Sequence, residues 1–337
     1  MSASRNILMV EDVQVSQAID AAAAAMLAAG HRVTRHPDAA SLRSDSAGLG
    51  QADILVVSSN CPVPREVLAA MTNLRAIVVP AIGTEMLDVP ATTERGIVIA
   101  NGATPENFES MAESTVLFML ASFYQLHRSE ALLRNRQPRP GQLYARMLKG
   151  RTIGLIGLGR IARGVVARLQ GWNVEVLAYT PRAATTVAPP GVRFVSLDEL
   201  LEKSDIVSIH ASLNNETRGM LDASRVRQMK PGAVLVNTSR GGIVDEAALC
   251  EAIRENRIAG IALDTFSHEP LPADSPLRDV PNAILTPHIV GHTLDAMLSL
   301  DTTVLENLNR VLAGTTPVHV RNPDVLPAWL AKFGTAR

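Results

Sequence analysis

The stretch Thr152-Ile-Gly-Leu-Ile-Gly-Leu-Gly-Arg-Ile-Ala162 decides the fold. Its first five residues form an apolar run typical of a buried parallel strand. Gly157, Gly159 and Ala162 then follow the spacing of a dinucleotide-binding turn that leads into a helix. Gly157 permits the tight turn, Gly159 lets the backbone approach a pyrophosphate, and Ala162 lets the helix pack against the strand. The stretch therefore predicts a strand, a phosphate-binding turn and a helix whose N-terminus faces the phosphates.

Short apolar runs alternate with helical runs on both sides of this unit, which is typical of parallel strands joined by right-handed helical crossovers. The predicted strands span 6–10, 32–35, 54–57, 76–79, 97–100, 152–156, 174–179, 206–209, 233–236, 260–263 and 283–285. The longer predicted helices span 17–29, 105–128 and 293–313, and Gly314 ends the last of them. The sequence therefore predicts an α/β fold.

The composition sets limits on the class of protein. The 337 residues are 47% hydrophobic and 19% charged, which predicts a globular chain long enough for two domains. A net charge of −1 gives no basic surplus for nucleic acid or for a membrane surface, and no apolar run reaches the length of a membrane helix. Two cysteines, Cys61 and Cys250, favour a reducing compartment. We expect a cytoplasmic protein without nucleic-acid or membrane partners.

The end of the strand after the glycine turn bears on the choice of cofactor. An Asp or Glu at this place would bind the ribose hydroxyls of NAD, but the sequence reads Tyr179-Thr-Pro-Arg182. Thr180 can donate to a 2′-phosphate, and Arg182 can form charge-assisted hydrogen bonds with it. These residues favour NADP, while NAD stays possible if Thr180 is neutral toward the choice.

Three polar segments follow predicted strands, at the edge where open α/β sheets bind ligands. They contain Arg240, Glu269 and His288. Reduction of a 2-oxo acid needs a cation to hold the carboxylate, a proton donor with a pKa near neutrality and a carboxylate to orient that donor. Arg240, His288 and Glu269 fill these roles in that order.

The sequence at this point resembles the D-isomer-specific 2-hydroxyacid dehydrogenase family. The resemblance rests on Gly154-Leu-Ile-Gly-Leu-Gly-Arg, Asn237-Thr-Ser-Arg-Gly-Gly-Ile-Val-Asp-Glu, Ala262-Leu-Asp-Thr-Phe and Thr286-Pro-His, and on the intervals between Arg240, Glu269 and His288. It implies that these three residues are catalytic and that Asp264 holds the nicotinamide. The predicted cofactor contacts are Gly157, Gly159, Arg160, Ile161, Thr180, Arg182, His210, Ala211, Thr217, Thr238, Ser239, Asp264 and Gly291.

The family resemblance also implies a discontinuous domain layout. Residues 1–102 and 293–337 would form a substrate domain, and residues 103–292 would form the dinucleotide-binding domain. Both would be Rossmann- or flavodoxin-like doubly wound parallel sheets, with a cleft between them. Family members are typically homodimers held through the helix near 105–128.

The substrate loop departs from the family pattern Arg-x-Gly-x-Gly-x-Asp-Asn. Val79, Ala81 and Met86 replace three of its residues, while Gly83 remains. Relatives that take phosphorylated substrates commonly carry Arg at the position of Ser58. We therefore expect a small unphosphorylated acid such as glyoxylate or hydroxypyruvate. The predicted substrate contacts are Ser59, Ile82, Gly83, Arg240 and His288.

Other interpretations of these residues stay open or are disfavoured. An NAD-dependent member acting on another acid, such as formate or phosphite, and a non-catalytic nucleotide sensor or corepressor are the alternatives. His288 and His292 have the spacing of two metal ligands on a helix, but Pro287 and Gly291 predict a loop, so we expect no metal. Cys61 is expected to be a buried thiol, because no base adjoins it.

Overall fold

The computed structural model describes residues 4–334. These residues form two compact units, a smaller unit of residues 4–107 and 293–334 and a larger unit of residues 108–292. Within the described residues, the smaller unit contains a 5-stranded sheet and the larger unit a 7-stranded sheet, and the paired strands are parallel. The predicted α/β fold of doubly wound parallel sheets is confirmed.

The sheet of the smaller unit has the order β2-β1-β3-β4-β5. Its strands are β1 (Asn6–Val10), β2 (Arg32–His36), β3 (Ile54–Val56), β4 (Ala76–Val79) and β5 (Val98–Asn101). The helices between them are α1 (Ser16–Ala28), α2 (Ala39–Ser44), α3 (Ser46–Gln51), α4 (Arg65–Ala70) and α5 (Val89–Glu94). The chain order reverses between β1 and β3, which creates a switch point where ligands bind in open α/β sheets.

Alternating side chains of each central strand pack against opposite faces of this sheet. Ile7 and Met9 of β1 belong to the core that covers one face. Leu8 and Val10 belong to the core that covers the other face. Because both faces are covered, the strand reads as a continuous apolar run rather than as an alternating pattern.

The sheet of the larger unit has the order β12-β11-β10-β9-β6-β7-β8. Its strands are β6 (Thr152–Ile156), β7 (Glu175–Tyr179), β8 (Val192–Phe194), β9 (Ile206–Ile209), β10 (Val234–Asn237), β11 (Gly260–Leu263) and β12 (Ala283–Leu285). The helices are α6 (Pro105–Phe123), α7 (Leu126–Arg134), α8 (Arg160–Arg168), α9 (Leu197–Lys203), α10 (Ala223–Gln228) and α11 (Glu246–Arg254). Here the order reverses between β6 and β9, which places a switch point beside the glycine turn.

The last helices return to the smaller unit. They are α12 (Leu294–Leu312), which packs against α1, and α13 (Leu326–Phe333). Trp329 of α13 is fully buried and donates from Nε1 to the carbonyl of Arg75 at 2.8 Å. No helix in the described part of the chain combines the length and the apolar character needed to cross a bilayer.

The structure corrects the sequence prediction at three elements. The single helix expected over 105–128 is wrong, because α6 ends at Phe123 and Gln125 takes a left-handed conformation (φ 49°) before α7 begins. The edge strand β8 was missed since it is short and no residue in it is fully buried. The helix α13 was missed because it is short and follows a polar segment.

Candidate active site

The imidazole of His288 is held by the carboxylate of Glu269. His288 follows β12, and its Nδ1 lies 2.7 Å from Oε2 of Glu269. The other carboxylate oxygen, Oε1, accepts a hydrogen bond from the backbone N–H of Phe266 at 2.9 Å. Glu269 is thus fixed at both oxygens, and it orients the imidazole through Nδ1. The remaining ring nitrogen, Nε2, is the one that can face a substrate.

The charge of Glu269 is maintained by its neighbours. Burial alone would raise the pKa of this carboxyl, but the hydrogen bonds from His288 and from the Phe266 N–H, with the positive charge of Arg240, hold its pKa below the usual range. Glu269 is therefore ionised at neutral pH. The ionised carboxylate presents a negative charge to Nδ1 of His288 at 2.7 Å.

Arg240 reaches this pair because the segment that carries it packs tightly. Arg240 follows β10, where Asn237 Nδ2 donates to the Arg240 carbonyl at 3.0 Å. A Cβ on the next residue, Gly241, would lie 1.9 Å from the carbonyl carbon of Phe266. Only glycine permits this approach, so the backbone after Arg240 lies directly on the segment that leads to Glu269. The structure brings the predicted Arg240, Glu269 and His288 into one cluster within the larger unit.

Asp264 supports the loop that carries His288. Its side chain is 1% exposed, and its Oδ1 accepts from Thr286 Oγ1 at 2.6 Å and from the N–H groups of Ile289 and Val290 at 2.9 and 3.1 Å. These bonds bracket His288 on both sides. The predicted role of Asp264 toward the nicotinamide stays a prediction, and the structure adds that this carboxylate shapes the loop that carries His288.

Two serines of α6 hold the same loop from the opposite side, and sequence reasoning missed both. Ser110 Oγ donates to the carbonyl of Gly291 at 2.7 Å, and Ser114 Oγ donates to the carbonyl of Val290 at 2.6 Å. A Cβ on Gly291 would lie 2.1 Å from the sulfur of Met111, so glycine permits the loop to lie on α6. The signal available in the sequence was the spacing of four between the two serines, which places both on one side of the helix.

The glycine turn after β6 fits a dinucleotide. Gly157 has φ 94°, and a Cβ there would lie 2.8 Å from the backbone nitrogen of Ala211. A Cβ on Gly159 would meet no atom within 4 Å, so the space before the N-terminus of α8 is open. Open space in front of unpaired helix N–H groups is what a pyrophosphate needs. The residues present therefore fit a pyridine nucleotide at this turn.

His210 and Ala211 follow β9 and form the wall against which this turn packs. Burial lowers the pKa of His210 to about 4, so the imidazole is neutral at pH 7. Its Nε2 lies 3.0 Å from Ser208 Oγ. His210 is therefore a neutral wall residue and is poorly suited to donate a proton.

The residues predicted to select the cofactor lie on the surface after β7. Thr180 Oγ1 accepts from the backbone N–H of Arg182 at 3.3 Å, and this bond closes a tight turn. The guanidinium of Arg182 is exposed and makes no hydrogen bond or ion pair with any residue from 4 to 334. In α8, the guanidinium of Arg160 lies 4.7 Å from the ring centroid of Phe108, and Ile161 is half-buried.

The remaining predicted cofactor contacts have hydroxyls that bond within the protein. Thr217 Oγ1 donates to the carbonyl of Ser212 at 2.7 Å. Thr238 Oγ1 lies 3.0 Å from Thr115 Oγ1, and Ser239 Oγ donates to the carbonyl of Ala211. These hydroxyls are engaged within the protein, and their contact with a cofactor stays a prediction.

The predicted substrate loops lie in the smaller unit. Ser59 follows β3, and Ile82 and Gly83 follow the neighbouring β4, so all three lie at the carboxyl edge of one sheet. Asn101 Nδ2 donates to the carbonyl of Ile82 at 2.9 Å, which fixes this loop. The contact of these residues with a substrate stays a prediction.

Two other chemistries find no support in the described residues. Cys61 is buried, and burial raises the pKa of its thiol to about 11, so the nucleophilic thiolate is not populated at neutral pH. Among residues 4–334, no group of three or more His, Cys, Asp or Glu side chains is arranged to hold a metal ion.

Comparison with known proteins gives one family. Residues 116–290 match the model of the D-isomer specific 2-hydroxyacid dehydrogenase, NAD binding domain. The chain is 38% identical over 281 residues to a glyoxylate reductase of Thermofilum pendens, covering 81% of this chain and 82% of that protein. It is 36% identical over 269 residues to a D-3-phosphoglycerate dehydrogenase of Mycobacterium leprae, covering 80% of this chain and 51% of that protein.

The chain thus matches only about half the length of the phosphoglycerate dehydrogenase. Among solved structures, it is similar to an NAD-dependent formate dehydrogenase of Staphylococcus aureus in complex with NAD. The two have a TM-score of 0.79 and 28% sequence identity, over 90% of this chain and 94% of that one. These relatives are named for different acids, and the formate dehydrogenase was solved in complex with NAD.

Proposed function

Since the chain belongs to the D-isomer specific 2-hydroxyacid dehydrogenase family, we propose that it transfers a hydride between NADP(H) and a small unphosphorylated 2-oxo or 2-hydroxy acid. The observation that carries the proposal is the cluster in which Glu269 holds the imidazole of His288 at 2.7 Å beside Arg240. A non-catalytic nucleotide sensor has no need of this acid–base pair.

Each residue of the cluster has one task in the proposed reaction. A bound pyridine nucleotide supplies the hydride to C2 of the 2-oxo acid. His288 Nε2 gives a proton to the oxygen that becomes the hydroxyl, and Glu269 holds the imidazole in place through Nδ1. Arg240 pairs with the substrate carboxylate through its guanidinium fork. In the direction of oxidation, His288 takes the proton from the hydroxyl instead.

The proposed preference for NADP rests on the surface after β7. Thr180 stands where a carboxylate would repel a 2′-phosphate, and the Arg182 guanidinium has no partner among residues 4–334. An uncommitted guanidinium two residues past the strand is available to a phosphate oxygen. The family model names NAD binding and leaves the choice between the two nucleotides to experiment.

The proposed preference for an unphosphorylated acid rests on charges at the carboxyl edge of the smaller sheet. The described segments between each of its strands and the following helix contain no Lys or Arg. Ser58, where phosphate-binding relatives commonly carry Arg, donates to the Asp12 carboxylate at 2.5 Å. Cations from elsewhere do contact these segments, but Arg35 and Arg65 are paired with the carboxylates of Glu11 and Asp88. Arg321 Nε donates to Thr84 at 3.2 Å. A phosphate near Ser58 would meet the carboxylate of Asp12, so glyoxylate or hydroxypyruvate is the preferred class.

We also propose a homodimer. The helix α7 contains no buried residue, and its side chains Leu126 and Leu133 are 59% and 81% exposed. Tyr124, Tyr144 and Met147 nearby are 50%, 75% and 64% exposed. Apolar side chains gathered in one part of the chain in this way are typical of a surface that a second protein covers, and two-fold dimers are the commonest assembly.

The test is an assay of cofactor oxidation against a panel of 2-oxo acids. We expect the wild-type protein to reduce glyoxylate or hydroxypyruvate with NADPH, and His288→Ala to lower kcat by about 10²–10⁴-fold. Arg182→Ala should raise the KM for NADPH by about tenfold and leave the KM for NADH unchanged. A wild-type preference for NADH would contradict the NADP proposal, and binding of nucleotide without turnover of any acid would favour the sensor.

A further inference from the structure

A cavity at the amino-terminal edge of the smaller sheet is separate from the loops discussed above. Its volume is about 420 Å³, and it opens where β1, β3 and β4 begin rather than where they end. The lining residues are Arg5, Asn6, Gln51, Asp53, Thr72, Asn73, Arg75, Lys332 and Phe333. Every one of them belongs to the smaller unit, so the cavity is defined within a single compact unit.

The charges that line the cavity do not balance. Asp53 is the carboxylate among the lining residues, and it is shared between two guanidinium groups, Arg5 Nη1 at 3.2 Å and Arg75 Nη2 at 3.3 Å. Its second oxygen accepts from the backbone N–H of Asn6 at 2.9 Å. Lys332 adds a further positive charge. Three cations against one carboxylate leave a surplus of two positive charges around the cavity.

Arg75 is the cation whose charge is least compensated by its surroundings. Its side chain is 10% exposed, and its Nε is buried without a hydrogen-bond partner in the described structure. Burial and the neighbouring charge of Arg5 lower the pKa of Arg75 despite the presence of Asp53. A buried cation in such surroundings is unfavourable unless a negative group pairs with it.

Two of the cations lie against the ring of Phe333, which forms one wall of the cavity. The Arg75 guanidinium carbon lies 4.8 Å from the ring centroid of Phe333, and Lys332 Nζ lies 5.0 Å from the same centroid. The negative face of the ring compensates the cations only in part. The neighbouring Trp329 donates to the Arg75 carbonyl at 2.8 Å, and this bond also fixes the wall.

We propose that this cavity is a binding site for a phosphate group, either inorganic phosphate or the phosphate of a small ester. A dianion balances the surplus of two positive charges. Guanidinium groups suit phosphate oxygens because their N–H donors form a planar fork. The volume exceeds that of phosphate alone and leaves room for the remainder of an ester next to the polar side chains Gln51, Thr72 and Asn73. The site stands apart from the proposed reductase reaction and does not depend on it.

The experiment measures phosphate binding by calorimetry and by the midpoint of thermal unfolding of the full chain, at constant ionic strength set with sodium chloride. We expect one saturable site in the wild type, and a rise in the unfolding midpoint with inorganic phosphate. The double substitution Arg5→Met with Lys332→Met should weaken binding at least tenfold. Both side chains are partly exposed, so the fold is retained and circular dichroism checks this.

A matched control removes an exposed arginine elsewhere in the same unit. Arg43→Met should bind phosphate as the wild type does. Glycerol 3-phosphate in place of inorganic phosphate distinguishes the sources, since tighter binding of the ester identifies an organic ligand. Absence of saturable binding would overturn the proposal. A phosphate effect that persists in the double variant would also overturn it, because the ion would then occupy another place, such as the glycine turn at Gly157.

Discussion

His288 combines a left-handed backbone with a charged partner. Its φ of 58° is uncommon for a residue with a Cβ and costs about 1–3 kcal/mol. The three bonds that Asp264 accepts and the 2.7 Å bond to Glu269 hold the residue in this conformation. The strain therefore fixes the direction of the imidazole, because the ring cannot relax without breaking bonds on both sides of it.

The rate of the reaction is expected to depend on Glu269. In Glu269→Gln, Nδ1 of His288 loses the carboxylate that faces it at 2.7 Å. We expect kcat at pH 7 to fall about tenfold or more, with little change in the KM for cofactor, because the glycine turn is untouched. Steady-state kinetics measure both. A variant with the kcat of the wild type would refute the orientation of His288 by Glu269.

The lowered pKa of Glu269 also has a consequence for stability. A carboxyl whose pKa is lower in the folded than in the unfolded state stabilises the folded protein above its ordinary pKa, near 4.3, and this stabilisation is lost as the pH falls further. The difference in stability between the wild type and Glu269→Gln should therefore be present at pH 7 and shrink below about pH 4. Glu216→Gln, at an exposed position, is the control without such a difference.

At the scale of elements, α6 supports the loop that carries His288. Its hydroxyls at Ser110 and Ser114 are buried and satisfy carbonyls that lie just after His288. The glycine at 291 allows the contact, and Met111 fills the space that a side chain would occupy. A helix that precedes the first strand of the larger sheet thus fixes the position of His288, which follows β12.

The double substitution Ser110→Ala with Ser114→Ala is expected to loosen this loop. Each lost donor leaves a carbonyl unpaired, at about 1–3 kcal/mol, so the midpoint of thermal unfolding should fall. We also expect kcat to fall about tenfold at 25 °C with little change in the KM for cofactor, because the glycine turn is untouched.

Ser224→Ala, on the exposed face of α10, serves as the control and should behave as the wild type. If the double variant loses stability but keeps its kcat, the serines are purely structural and do not position His288.

At the scale of the whole molecule, the acid–base cluster and the glycine turn belong to the larger unit, and the predicted substrate loops belong to the smaller one. The proposed phosphate site lies at the other edge of the smaller sheet. The exposed apolar side chains around α7 add a surface in the larger unit. The proposals therefore assign different tasks to different edges and faces of the two sheets.

The proposed dimer has a direct test. Leu133→Asp places a charge on the exposed surface of α7 and should weaken self-association at least about tenfold, because a charge buried at an interface is unfavourable. Sedimentation equilibrium measures the association constant. Val187→Asp is a matched control, since Val187 and Leu133 are each 81% exposed. A wild-type chain that sediments as a monomer at micromolar concentration would contradict the dimer.

Much of the fold could be predicted from the sequence. The strand–turn–helix at Thr152 to Ala162 and the apolar runs predicted parallel sheets, because buried strands need continuous apolar sequence and the turn needs glycine at fixed places. The break between α6 and α7 was not predictable in this way. It depends on the left-handed Gln125, a residue type with no special preference for that conformation.

The sequence by itself determined the residue types and spacings of an acid, a cation and a nucleotide turn, since their chemistry restricts each position to few side chains. Tertiary structure alone decided that Asp264, Ser110 and Ser114 converge on the His288 loop, and that Arg5, Arg75 and Lys332 surround one cavity. These groups come from distant parts of the chain. Their meeting is set by packing between elements, and packing leaves no local pattern in the sequence.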